Sequence, residues 1–415
     1  MSSHLAIWII AALAVAGVII RPFNSIEAVW AVGGATLLLG LRLITPSTAF
    51  AGIAKGTDVY LFLTGMMLLA EVARSEGLFD WLAALATQHA DGSPRRLFLL
   101  IYLVGTVVTV FLSNDATAVV LTPAVAAAVR TAKAEQPLPY LLICAFIANA
   151  ASFVLPISNP ANLVIYGSHM PPLLQWLPRY LLPSAVSIAA TYALLRWTQR
   201  HALHQTIARQ VPVPELSGGG KIAAAGIAVT AIVLLSASAM DMQLGLPTCV
   251  AGVATAAIVL LFHPAKAWSI IKDISWGVLP LVAGLFVLVE ALNETGLVAI
   301  IGTLLRDAAA HSVAWAAWSA GIVVALGSNL ANNLPVGLIG GSVLRSDHIA
   351  DQVTRTILIG VDLGPNLSVT GSLATILWLS ALRRENVSVG MGRFLKLGAI
   401  VMPPALLLAI AATLM

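Results

Sequence analysis

The amino-acid sequence predicts an all-α integral membrane protein, built as an inverted repeat of about ten transmembrane helices with two re-entrant helical hairpins. Three observations predict it. Hydrophobic residues fill 59% of the 415 positions and charged residues only 10%, where a soluble globular chain carries about a quarter charged residues. Apolar runs long enough to cross a bilayer recur along the whole chain. The features of one half return in the same order in the other.

A crossing needs about 20 apolar residues, fewer where the helix is partly buried in protein. Such runs lie at 4–20, 28–44, 58–73, 140–167, 177–195, 222–239, 244–262, 277–292, 356–382 and 393–414. The first, Leu5 to Ile20, could pass for a signal peptide. It lacks a basic n-region and another apolar segment follows at once, so it reads as the first span. Regions 97–130 and 312–344 are apolar but interrupted midway by polar clusters. Each half is too short for a comfortable crossing, so each region reads as a hairpin that enters and returns on one side.

A hydrophilic connector, 197–221, holds Arg200, Arg209, Pro212, Pro214 and Gly218-Gly219-Gly220 and divides a first repeat, 1–196, from a second, 222–415. Gly65, Glu71, Gly77 and Leu78 recur as Gly284, Glu290, Gly296 and Leu297, 219 residues on. Pro46, Phe50 and Ile53 recur as Pro264, Trp268 and Ile271, 218 residues on. With the connector in the cytoplasm, six of the 22 Lys and Arg residues fall outside (Arg42, Lys55, Arg179, Arg306, Arg345 and Arg355) and the other sixteen inside. Membrane proteins show that asymmetry. Three spans before each hairpin and two after make the halves antiparallel. Hairpin 97–130 then opens from the cytoplasm, hairpin 312–344 from outside, and both termini are external.

An inverted repeat with broken elements is the architecture of secondary transporters, which hold substrate near the midplane. A channel or a membrane enzyme could share the composition, but neither requires paired hairpins of opposite entry. A membrane enzyme would need a nucleophile–base or metal constellation, and the spans carry none. No cofactor is expected. The net charge of +4 is spread over loops, which does not read as nucleic-acid binding.

Irregular backbone at membrane depth is tolerated only where it lines a cavity or is buried in protein. Four interruptions qualify: Ser113-Asn114-Asp115, Asn332-Asn333-Leu334-Pro335, Pro156 to Asn162, and Asp362 to Asn366 continuing to Thr370-Gly371-Ser372. Proline removes a donor and glycine relaxes the helix, so carbonyls and N–H groups are freed. The candidate substrate-binding residues are Ser113, Asn114, Asp115, Ser158, Asn159, Asn162, Asn332, Asn333, Asn366, Thr370 and Ser372. Amides, hydroxyls and carboxylates without Lys or Arg suit a small neutral polyhydroxyl species, although half-helix N-termini also hold anions. Asp115 and Asp362 are the candidate proton-coupling groups, since an intramembrane carboxylate is costly unless paired or functional. Glu71 and Glu290 read as solvated span ends, and Cys144 and Cys249 as core residues without a metal-ligand spacing. His169, His201 and His204 lie in or near loops, and the Trp residues read as interfacial anchors.

Gly360-Val361-Asp362-Leu363-Gly364-Pro365-Asn366, running on through Gly371-Ser372-Leu373-Ala374-Thr375 to Leu377-Trp378, resembles the ArsB arsenite-pump family of the ion-transporter superfamily. Asn114-Asp115 with Leu121-Thr122-Pro123, Asn332-Asn333-Leu334-Pro335, and Ser158-Asn159 with Asn162 are similar to motifs of the same family. The resemblance covers nearly the whole chain. It implies export of arsenite, As(OH)3, and antimonite across a bacterial-type inner membrane by proton antiport, with the hairpins and broken helices moving against a scaffold. A cytosolic ATPase attaches to some of these carriers; the connector here shows no obvious docking signature for one. ArsB-like proteins often carry an acid where this chain has Asn149, so the coupling here rests on Asp115 and Asp362 or differs in kind. The alternative is another superfamily member, a sodium/proton antiporter or an organic-anion carrier.

Overall fold

The computed structural model describes residues 3–22, 25–167, 170–346 and 349–415, and among them every regular element is helical. His169 lies outside the described residues. The first half contains α1 (Ser3–Ile20), α2 (Glu27–Gly40), α3 (Pro46–Lys55), α4 (Thr57–Ser75), α5 (Leu78–His89), α6 (Pro94–Phe111), α7 (Thr122–Thr131), α8 (Leu138–Ala150), α9 (Pro160–Tyr166) and α10 (Leu173–Thr198). The second half contains α11 (Gly218–Ala239), α12 (Gly245–Phe262), α13 (Ala267–Asp273), α14 (Val278–Glu294), α15 (Leu297–His311), α16 (Val313–Ala331), α17 (Asn333–Ser346), α18 (Asp351–Leu363), α19 (Leu373–Arg384) and α20 (Met391–Leu414). Each helix of the first half has a counterpart ten places on. Among the described residues, seven helical segments are long and apolar enough to cross a membrane, or eight if α3 and α4, bent by 46°, form one span.

Two of those seven are α6 and α16, the entering arms of the interrupted regions. They are longer than the sequence reading allowed, because the turns at 112–113 and at Asn332 are tight and use few residues. In α6 the helix also starts upstream of the apolar run, where Ser93 accepts from the Arg96 N–H and Pro94 takes the first helical position, a place that needs no donor. The reading also passed over α3, α5, α13 and α15, which are short and carry polar residues. In both halves the short helix packs along both arms of its interrupted region, α5 on α6 and α7, and α15 on α16 and α17.

The halves interlock by exchange. α4 packs on α12, and α14, its counterpart, packs on α2. Glycines set both crossings: a Cβ on Gly65 would stand 2.2 Å from the Thr248 carbonyl oxygen, and one on Gly284 would stand 2.6 Å from the Ala31 carbonyl carbon. Small residues permit that backbone approach. Gly77 and Gly296 follow α4 and α14 with φ of 76° and 83°, a region that a side chain disfavours. At the end of α4, Arg74 bridges Glu71 and Asp273 while Lys266 meets Glu76 at 2.9 Å. At the end of α14, Glu290 meets Lys55 at 2.6 Å and Glu294 accepts from the Thr48 hydroxyl at 2.7 Å. Glu71 and Glu290 therefore serve as ion-pair anchors at helix ends.

Two tryptophans correct the interfacial reading. Trp176 and Trp378 are fully buried, and their indole N–H groups donate to the Val154 and Leu141 carbonyls at 3.2 and 2.9 Å. Burial is tolerated because each indole N–H finds a carbonyl, Val154 in the break after α8 and Leu141 in the first turn of α8.

Candidate functional site: two broken helices that cross

In the first half, α8 stops at Ala150. Pro156 and Pro160 cannot donate, and the residues before them, Leu155 and Asn159, are extended, as a following proline requires. The freed carbonyls of Ser152, Leu155 and Pro156 surround the Asn162 amide, whose Nδ2 lies 3.0, 3.3 and 3.3 Å from them. Asn159 restarts the chain as α9 by accepting from the Ala161 N–H at 3.0 Å.

The second half breaks in the same register. α18 stops at Leu363 before Gly364-Pro365, and Ser372 caps α19 by accepting from the Thr375 N–H at 3.1 Å. Asn149 and Asp362, Asn159 and Ser372, and Asn162 and Thr375 each stand 213 residues apart. The two caps and the two helix ends are thus repeat partners.

The breaks bind each other. Asn159 Nδ2 donates to Asp362 Oδ1 at 2.8 Å, and Asn149 Nδ2 donates to Asn366 Oδ1 at 3.0 Å. Asn366 in turn donates to the Phe146 carbonyl at 2.9 Å. Asn149, Asn162, Asp362 and Asn366 are fully buried and Asn159 is 3% exposed. Three acceptor oxygens in this network receive no hydrogen bond among the described residues, Asn149 Oδ1, Asn162 Oδ1 and Asp362 Oδ2, the last with the Ser152 hydroxyl beside its carboxylate and directed to the Asn149 carbonyl. No Lys or Arg donates to residues 149–162 or 362–375 among the described residues.

Each tip is tied to the break of its own half. Ser158 Oγ donates to the Val110 carbonyl at 3.0 Å, just before the first tip. Within that tip Ser113 Oγ accepts from the Ala116 N–H and Asn114 Oδ1 from the Asp115 N–H. In the second, Asn332 has φ of 67° and its Nδ2 lies 3.4 Å from the Thr370 carbonyl. Thr370 donates to the Asn329 carbonyl, and Asn329 receives Ser368 and donates to the Gly364 carbonyl. Asn333 is buried. Among the described residues, no hydrogen bond carries Asn114 or Asp115 to the second half. Cys144 lies in α8 and Cys249 in α12, both free and outside the breaks.

Sequence reasoning noted Asn149 only as a departure from the family pattern, not as a site residue, and did not place Asn329, Ser368 or Thr375 in the site. The repeat register was the available signal: aligning the two caps places Asn149 opposite Asp362.

Paired breaks within a duplicated helical array define a membrane transporter of the ion-transporter type. The chain belongs to the citrate transporter (CitMHS) family, whose model matches residues 7–384. It is 26% identical to the arsenical pump membrane protein of Yersinia enterocolitica, over 84% of this chain and 83% of that one. A putative arsenical pump membrane protein of Bacillus subtilis is also 26% identical, over 92% and 93% of the two chains. These relatives bear out the ArsB-like resemblance. Among solved structures, the YdaH transporter of Alcanivorax borkumensis, described as having an unusual topology, matches with a TM-score of 0.56 and 14% identity over 91% of this chain and 88% of that one. That likeness concerns the fold alone. The chain is a multi-pass plasma-membrane protein.

Proposed function

We propose that this protein exports arsenite, as neutral As(OH)3, and antimonite from the cytoplasm by proton antiport. The observation that carries the reading is the set of unpartnered buried acceptors on Asn149, Asn162 and Asp362. A buried acceptor without a donor is costly, and a neutral molecule with three hydroxyl groups supplies three donors. Asp362 and Asp115 carry the exchanged proton, because burial disfavours an ionised carboxylate and a neutral substrate brings no compensating charge. The names of the arsenical-pump relatives support the same substrate.

The two halves are inverted about the membrane plane in this reading, with 97–130 opening inward and 312–344 outward. Ion pairs and hydrogen bonds across the chain join residues that the charge distribution assigns to one face: Arg74 with Asp273, Arg130 with Glu385, and Lys55 with Glu290.

The family's name favours a second reading, a carrier of citrate-like organic anions. Such a substrate calls for cations, and the crossing holds no Lys or Arg side chain in its hydrogen bonds. Arsenite uptake into everted vesicles, with and without a proton gradient and with citrate as competitor, separates the two. Gradient-dependent uptake insensitive to citrate supports arsenite export; citrate uptake in place of arsenite overturns it.

A further inference from the structure

The N-terminal end of α6 and the C-terminal end of α10 enclose a separate site. A cavity of about 400 Å³ opens there, lined by Arg95, Arg196 and Arg200 together with Tyr192, Trp197 and Leu203. The three arginines are exposed, and among the described residues none pairs with a carboxylate. Arg95 Nη2 lies 3.1 Å from His204 Nε2, Arg196 Nη1 donates to the Tyr192 hydroxyl at 3.4 Å, and Arg200 Nε donates to His201 Nε2 at 3.3 Å. The guanidinium carbons of Arg196 and Arg200 also stand 5.9 and 5.2 Å from the ring centres of Tyr192 and Trp197. Elsewhere Arg74, Arg130, Arg355 and Lys266 each hold an acidic partner.

Arginine presents five N–H donors in a planar fork that matches phosphate oxygens. Three such forks without a carboxylate partner around one cavity make a phosphate-recognition set, and the aromatic rings hold two of them in place.

Two apolar faces lead away from the cavity. Leu99, Leu103 and Val107 follow Arg95 at every fourth position of α6 and are exposed; Ala185, Ala189 and Ala193 precede Trp197 at the same spacing on α10 and are exposed. Spacing by four keeps each set on one helix face. Tyr102 joins the helices, donating to the Ile188 carbonyl at 2.7 Å and standing edge-on to Tyr192 at 5.1 Å. A ligand that fills the whole site has a phosphate at one end and hydrocarbon at the other.

We propose that this cavity binds the phosphate of an anionic phospholipid, with its acyl chains along the exposed faces of α6 and α10. Free phosphate shares the headgroup chemistry and lacks the chains.

The test uses the delipidated full-length protein in detergent, titrated with phosphatidylglycerol, phosphatidylcholine or inorganic phosphate and read by native mass spectrometry. The expected result is phosphatidylglycerol retention at least tenfold stronger than phosphatidylcholine. Substituting Arg95→Gln, Arg196→Gln and Arg200→Gln together removes that preference, whereas Arg383→Gln with Arg384→Gln, a basic pair outside the cavity, keeps it. Equal retention of the two lipids by the unmodified protein, which needs no variant to fold, overturns the proposal. So does loss of preference in the Arg383/Arg384 control, or displacement of phosphatidylglycerol by millimolar inorganic phosphate, which would mark a free-anion site.

Discussion

Asn159 and Asp362 lie 203 positions apart and meet at 2.8 Å where the two broken helices cross. The amide uses its oxygen to cap α9 and its nitrogen to hold one carboxylate oxygen. The other carboxylate oxygen receives no hydrogen bond among the described residues. One residue thereby fixes local structure and orients the group proposed to carry the proton.

Replacing Asn159 should separate these roles. Asn159→Ala removes both the cap and the donor to Asp362, whereas Asn159→Ser keeps a capping oxygen. A hydrogen bond to a carboxylate is worth about 1.5–3 kcal/mol. Both variants should therefore lose roughly tenfold or more in arsenite transport, and Asn159→Ala should lose more thermal stability than Asn159→Ser because its cap is gone as well. Equal transport by all three proteins would detach Asn159 from the site.

Asn149→Ala leaves Asn366 Oδ1 buried without its donor. An unsatisfied buried acceptor costs about 1–3 kcal/mol, so the thermal midpoint in detergent should fall by several degrees. An unchanged midpoint would mean that the Asn149–Asn366 contact contributes nothing to the crossing.

The helix crossings offer a test independent of substrate. Gly65→Ala forces a methyl against the Thr248 carbonyl, whereas a Cβ on Gly33 meets nothing within 4 Å. Overpacking costs about 1–3 kcal/mol. Thermal unfolding should show a lowered midpoint for Gly65→Ala and none for Gly33→Ala.

Recognition through hydrogen bonds leaves no task for the thiols. A Cys144→Ala, Cys249→Ala double variant should keep most arsenite resistance in cells when expression is matched. Loss of resistance at normal expression would point to As–S bonding instead.

Much of this was legible in the chain. Long apolar runs gave the spanning helices, and Pro156, Pro160 and Pro365 announced the breaks by removing helical donors, although Pro178, Pro183, Pro403 and Pro404 sit inside the continuous helices α10 and α20. The short helices α3, α5, α13 and α15 escaped because hydropathy weighs length and apolarity, and Asp80 or Arg306 dilute both. The contact made by Asn149 escaped for another reason. Its partner, Asn366, lies on the crossing helix, and a crossing is a tertiary fact that no local pattern encodes. The spacing between repeat partners also shortens from 219 residues at Gly65 and Gly284 to 213 at Asn149 and Asp362, which hides the second register from a search at fixed offset. Trp176 and Trp378 misled because an amphipathic ring near a span end suits an interface as well as a buried carbonyl.

The most direct measurement is arsenite accumulation in everted vesicles driven by an imposed pH gradient, for the unmodified protein, Asp362→Asn and Asp115→Asn at matched expression. Asn keeps the size of Asp and cannot exchange a proton at neutral pH. Gradient-driven accumulation should vanish in Asp362→Asn and fall strongly in Asp115→Asn, with downhill arsenite exchange remaining. Full gradient-driven accumulation in both variants would contradict the account, because neither carboxylate would then carry the proton.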